Sequence, residues 1–155
     1  MMEIKDAVRN NLEGEALANA LDLVDYLIER GLTPKMEWAS GCRFISNNKS
    51  PCLVFMIGKE NGGGWVICDL PVVSEPEWNL LGDDLKEFIM TNIKICSVHQ
   101  GKSCGCGSEP GTSKNIFGKA YDNVCTSEIQ IVNPNSDTLD KFKEVVEWWL
   151  INIGA

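Results

Sequence analysis

A chain of 155 residues that is 44% hydrophobic is long enough to bury an apolar core, and it reads as a single α+β domain over 1–155. Its net charge of −8 excludes a general nucleic-acid binder, because phosphate contacts need clustered Lys and Arg. The opening MMEIKDAVRN carries charges where a secretory signal would be apolar, and no later run of about 20 apolar residues could span a bilayer, so a cytoplasmic protein without a membrane role is expected.

In chain order, the first predicted element is a helix from Leu12, where Ala16, Leu17, Ala20, Leu21, Val24, Leu27 and Ile28 recur at helical spacing. Asn10 and Glu13 read as a capping pair and Gly31 as the stop. The acids Glu13, Glu15, Asp22, Asp25 and Glu29 fall mostly off the stripe, as in an amphipathic helix packed on a sheet.

From Met36 to Leu70 the pattern changes to short β-rich runs, MEWAS, CRFIS, PCLVFMIG and WVICDL, separated by turn residues. Gly62-Gly63-Gly64 has the glycines of a phosphate loop, but Trp65-Val66-Ile67 continues as a strand, so a hairpin is expected. Cys42, Cys52 and Cys68 lie within these strands, where cysteine behaves as a small buried hydrophobe.

Gly82-Asp83-Asp84 opens a second helix carrying Leu85, Phe88, Ile89 and Ile93, which delivers the chain to a Cys/Gly-rich loop over 96–125. After the loop, Ser127 to Val132 alternates as a strand with Ile129 and Ile131 on one face. Asn133-Pro134-Asn135-Ser136 reads as turn and cap. The last helix, from Asp137, presents Leu139, Phe142, Val145, Val146, Trp149, Leu150 and Ile153. The predicted fold is an antiparallel β-meander with amphipathic helices packed on it and the Cys/Gly-rich loop before the last strand and helix.

That loop carries the chemistry. Cys96, His99, Cys104, Cys106 and Cys125 follow the pattern Cys-x2-His-x4-Cys-x-Cys-x18-Cys, and they include four of the seven cysteines and the only histidine. An odd cysteine count without a secretory signal favours reduced thiols, metal binding or redox chemistry over a disulfide framework. Four thiols and an imidazole exceed a tetrahedral zinc site by one ligand. The economical set is Cys96, Cys104, Cys106 and Cys125, with His99 as alternative fourth ligand or hydrogen-bonding neighbour. Between 94 and 119 the charge balance turns basic, with Lys94, Lys102, Lys114 and Lys119 against Glu109, which would offset the negative charge of a zinc tetrathiolate. The plain alternative is a set of reduced thiols in a loop.

Two further readings stand beside zinc. A disulfide within Cys104-Gly105-Cys106 would close a small strained ring suited to thiol exchange. On the sheet, Trp38, Arg43 and Trp65 could wall a small-ligand site, since a strand arginine between apolar neighbours needs a partner or a ligand. Hydrolase chemistry finds little support, because any Cys–His or Ser–His pair must use His99 and no nucleophile elbow surrounds it.

The residues Cys104-Gly105-Cys106, Pro110-Gly111, Ile116-Phe117-Gly118-Lys119, Tyr121-Asp122-Asn123-Val124-Cys125 and Asn133-Pro134 resemble the C-terminal signature of small uncharacterised bacterial proteins. Those proteins carry a further cysteine where this chain has His99. The resemblance covers about the last third of the chain and implies no activity. The expectation is a binding or regulatory domain rather than an enzyme, with zinc or a thiol cluster in its loop and a small molecule or protein as partner, the oligomeric state left open.

Overall fold

The computed structural model describes residues 3–38, 41–45, 51–58, 64–68, 73–96 and 111–152. The fold is α+β with antiparallel strands. In chain order its elements are α1 (Ile4–Asn11), α2 (Gly14–Glu29), β1 (Thr33–Trp38), β2 (Gly41–Ile45), β3 (Pro51–Gly58), β4 (Gly64–Cys68), α3 (Asp83–Thr91), β5 (Ile93–Ile95), β6 (Thr112–Ile116), β7 (Lys119–Val132) and α4 (Ser136–Asn152). A 3-10 turn at Pro76–Leu80 precedes α3. The chain divides into two compact units, Met1–Ile67 with Ile131–Ala155, and Cys68–Gln130.

In the first unit α1 is an element the sequence reading leaves out. Ile4, Ala7 and Val8 recur at helical spacing and are buried, although charged neighbours dilute the pattern. Asn10 therefore lies inside α1 instead of capping the next helix. The chain breaks at Leu12, which is extended and buried, and Glu13 at the start of α2 makes no side-chain cap bond. The buried stripe of α2 is Ala20, Leu23, Val24 and Leu27, rotated so that Leu23 joins the core and Ile28 turns outward. At its end Leu32 N–H donates to Leu27 O at 3.0 Å and Gly31 N–H to Ile28 O at 2.9 Å, a Schellman closure with Leu32 buried behind it.

Helix α1 packs on α2 and β3, and α2 on α4 and β1. The strands run in the order β1-β2-β3-β4, followed by the last residues of β7. Register pairs Arg43 with Lys35 on β1 and with Val54 on β3. β1 begins earlier than the β-rich run suggests and includes Pro34, which an edge strand tolerates because one side of its backbone has no ladder to complete. Gly64 opens a strand, as the hairpin reading requires, and Trp65, Val66 and Ile67 are buried in succession. The turn before α4 behaves as a cap, with Asn135 Oδ1 accepting from Thr138 N–H at 2.9 Å. Leu139, Phe142, Val145, Val146 and Trp149 form the buried face of α4. Ile153 lies outside the described residues.

In the second unit β5 and β6 both pair antiparallel with β7. Helix α3 stops at Thr91, so Ile93 begins β5 instead of ending the helix. The loop expected over 96–125 is corrected in its second half, where Thr112–Ile116 and the start of β7 form a hairpin. Its turn is Phe117-Gly118, with φ of 52° and 79°, flanked by the pair Ile116↔Lys119. Two positive φ values make the twist of a type I′ turn, which matches that of the strands. A phenylalanine in the first position hides such a turn from a sequence reading.

β7 itself is irregular. Ile93 pairs with Ile129 and Ile95 with Val124, so two steps along β5 span five along β7. Asn123 and Glu128 have φ of 57° and 52°, and these left-handed residues mark the places where the strand bulges.

Candidate functional site

Cys96 follows β5, and Cys125 lies on β7, the strand β5 pairs with. The pair Ile95↔Val124 sets the local register, and Cys96 N–H donates to Asn123 O at 2.6 Å. The two cysteines are 3% and 1% exposed and pack against each other as a small cluster of their own. Gly111 approaches the same point: a β-carbon placed on it would lie 2.5 Å from Asn123 O and 2.7 Å from Cys96 Cβ. Both ends of the segment 97–110 therefore meet beside the buried thiols.

His99, Cys104 and Cys106 lie outside the described residues. Among the described residues, no group of three or more His, Cys, Asp and Glu side chains gathers as metal ligands. Cys42 lies in the first unit, wholly buried on β2, where loss of water pushes its thiol up to about 12. It is the inert hydrophobe that a strand cysteine is expected to be. Cys68 is half-buried at the end of β4, and the side chain of Cys52 lies outside the described residues.

Of the four lysines expected to balance a thiolate cluster, Lys102 lies outside the described residues, and two others have partners of their own. Lys119 lies with its Nζ 5.1 Å from the Tyr121 ring centre, and Lys114 is bonded to Glu128. Glu128 was not singled out by the sequence, yet it is a buried charge of the second unit, 2% exposed. Its Oε2 accepts from Val73 N–H at 2.7 Å and Ser74 N–H at 3.4 Å, and its Oε1 accepts from Ser74 Oγ at 2.9 Å and Lys114 Nζ at 2.5 Å. A carboxylate taken out of water needs such a complete set of donors. Simple alternation puts Glu128 on the polar face opposite Ile129 and Ile131, and its left-handed backbone is what turns it inward. With its acceptor sites met, it serves as a polar tie between residues 73–74, β6 and β7.

On the sheet of the first unit, Arg43 is half-buried between buried Cys42 and Phe44, and Trp65 is wholly buried. The side chain of Trp38 lies outside the described residues. Trp65 contributes to the wall of a half-open pocket of about 210 Å³ with Glu15, Ala16, Asn19, Asn133, Pro134 and Asn135, and Arg43 is not among its lining residues. The pocket's amides are partly engaged within the fold: Asn133 Oδ1 accepts from Trp65 N–H at 2.8 Å, and Asn135 caps α4.

Comparison of the chain with protein-family models, with curated proteins and with solved structures gives no match. No helix among the described residues is long and apolar enough to cross a membrane.

Proposed function

We propose that the chain is a binding or regulatory domain in which Cys96, Cys104, Cys106 and Cys125 hold a structural zinc ion, with His99 as alternative fourth ligand or hydrogen-bonding neighbour. The observation that carries this reading is the burial of Cys96 against Cys125 at the point where the segment 97–110 both leaves and returns. Two thiols fixed on paired backbone make half of a tetrahedral site before any metal arrives. The other half needs donors from the intervening segment, and Cys104 and Cys106 lie in it. Thiolate is a ligand zinc accepts readily, at about 2.3 Å per bond. Such a clip would hold a long connection closed, and metal binding would then contribute directly to folding.

Elemental analysis and a free-thiol count on native protein test the proposal. Zinc equimolar with the chain is expected, with four thiols protected until a chelator is added. The variant carrying Cys104→Ser and Cys106→Ser should lose the metal and unfold at lower temperature. Metal-free protein with Cys104 and Cys106 joined as a disulfide would replace zinc binding by thiol exchange. Metal-free protein with all thiols reduced, and a double variant as stable as the parent, would end both readings.

A further inference from the structure

Resting on that zinc reading, we infer that Gly111 is a positioning residue of the thiol site: its missing side chain lets the returning chain lie against Cys96 and Asn123, and so fixes where the metal is held. Three observations meet here. Cys96 is tied to β7 through its N–H bond to Asn123 O. Asn123 has a left-handed φ of 57°, which bends β7 at that residue. Gly111 sits so close to both that a β-carbon would overlap the Asn123 carbonyl carbon at 2.6 Å, its oxygen at 2.5 Å and Cys96 Cβ at 2.7 Å. Contacts under 3 Å to carbonyl atoms are not relieved by turning a side chain, so backbone must move. The backbone to hand is that of Gly111, Asn123 or Cys96, and moving it displaces Cys96 relative to Cys125 or withdraws the returning end of the segment.

The consequence is a loss of metal affinity larger than the loss of fold. Residues that orient ligands without touching the metal typically alter affinity by about 10- to 100-fold. Gly118 supplies a control in the same hairpin: its φ of 79° makes alanine strained there, but a β-carbon would meet nothing within 4 Å. Gly118→Ala should destabilise the hairpin without disturbing the thiols.

The experiment is a zinc titration against a competing chelator on wild type, Gly111→Ala and Gly118→Ala. Cobalt substitution accompanies it, to read the number of bound thiolates from sulfur-to-cobalt charge-transfer absorption. Gly111→Ala is expected to bind zinc about 10- to 100-fold more weakly, with an altered cobalt spectrum, while Gly118→Ala keeps the wild-type affinity and spectrum. Equal affinity and spectrum in wild type and Gly111→Ala would overturn the role of Gly111 and leave the zinc site standing. Failure of wild type to bind zinc would overturn the zinc reading and this inference together. Should Gly111→Ala not fold, a variant with two glycines inserted between Pro110 and Gly111 decides. It lengthens the segment while keeping the packing of Gly111, and the added closure entropy is small. Its affinity should match wild type, and a large loss would show that segment length, not the Gly111 contact, sets the site.

Discussion

Among the described residues of the first unit the largest wholly buried side chains are Trp65, Phe44, Phe142, Leu23 and Leu27, and ion pairs such as Arg30–Glu147, Lys143–Asp22 and Lys5–Asp25 link partly exposed groups. The second unit also buries apolar residues, Trp78, Ile89 and Ile116 among them, but it adds a carboxylate with four donors, a pair of packed thiols and left-handed residues inside a strand. Burial of apolar area has no direction, so a core built on it accepts changes that keep volume. A buried carboxylate depends on direction, and changing one atom leaves its donors facing nothing. Both units should therefore lose stability on a conservative substitution, the second by more than the first.

The largest effect is expected from Glu128→Gln. The amide keeps the outline of the carboxylate but removes its charge and turns an NH2 toward donors. Breaking a buried ion pair at one partner costs about 3–5 kcal/mol, and the lower end applies because Lys114 is 23% exposed. Urea unfolding followed in the second unit measures it. A loss below about 1 kcal/mol would mean that the tie is dispensable.

Phe142→Leu is the matching change in the first unit, where the side chain is wholly buried on α4. Leucine is also apolar but three carbons smaller, so a small cavity adds to the lost contacts and a loss of about 1–2 kcal/mol is expected. A loss as large as that of Glu128→Gln would remove the contrast between the units.

Asn135→Ala comes next, at about 1 kcal/mol, because it leaves Thr138 N–H at the start of α4 without its side-chain acceptor. Asn135→Asp should recover it, and thermal unfolding of the two variants compares them directly.

The same contrast decides what the sequence could show. Helix α4 and the strands of the first unit are legible because apolar periodicity survives in them, as Leu139, Phe142, Val145, Val146 and Trp149 illustrate. Helix α1 is lost to view because three buried residues among charges make a short signal. In the second unit periodicity fails where the backbone is left-handed. Asn123 and Glu128 break the alternation of β7, so a single strand of Lys119–Val132 reads as a loop followed by a short strand. Glu128 then falls on the wrong face. The meeting of Cys125 with Cys96 is legible only as a condition, that the loop close back onto the end of the second helix, and the pair Ile95↔Val124 supplies the closure that the sequence does not. The close approach of Gly111 leaves no mark beyond a glycine in a glycine-rich stretch.

The smallest effect expected is a dependence on pH at the surface of the first unit, and it tests whether that surface contributes to stability at all. Tyr26 Oη donates to Glu147 Oε2 at 3.0 Å, and Arg30 Nε donates to the same oxygen at 2.7 Å, with its guanidinium 4.8 Å from the Tyr26 ring centre. The hydrogen bond from Arg30, and after it the one from Tyr26, holds the Glu147 carboxyl below its ordinary range. A carboxyl with a lowered folded pKa contributes stability above its unfolded pKa and loses it as pH falls through the folded value. The difference between wild type and Glu147→Gln should thus be present at neutral pH and vanish in acid. Burial first, and the bond to Glu147 second, push Tyr26 up to about 12 from 10.0. Its contribution is complete below pH 10 and is lost as pH rises toward about 12. Cys42, raised by burial from 9.0 to about 12, weakens the same unit over an overlapping alkaline range, so the tyrosine must be read as the difference between wild type and Tyr26→Phe. Because Glu147 and Arg30 are more than a third exposed, the acid difference should shrink in high salt. If Glu147→Gln matches wild type at neutral pH and low salt, the Glu147 carboxylate adds nothing to the packing of α2 on α4, which is then left to apolar burial and the Lys143–Asp22 pair.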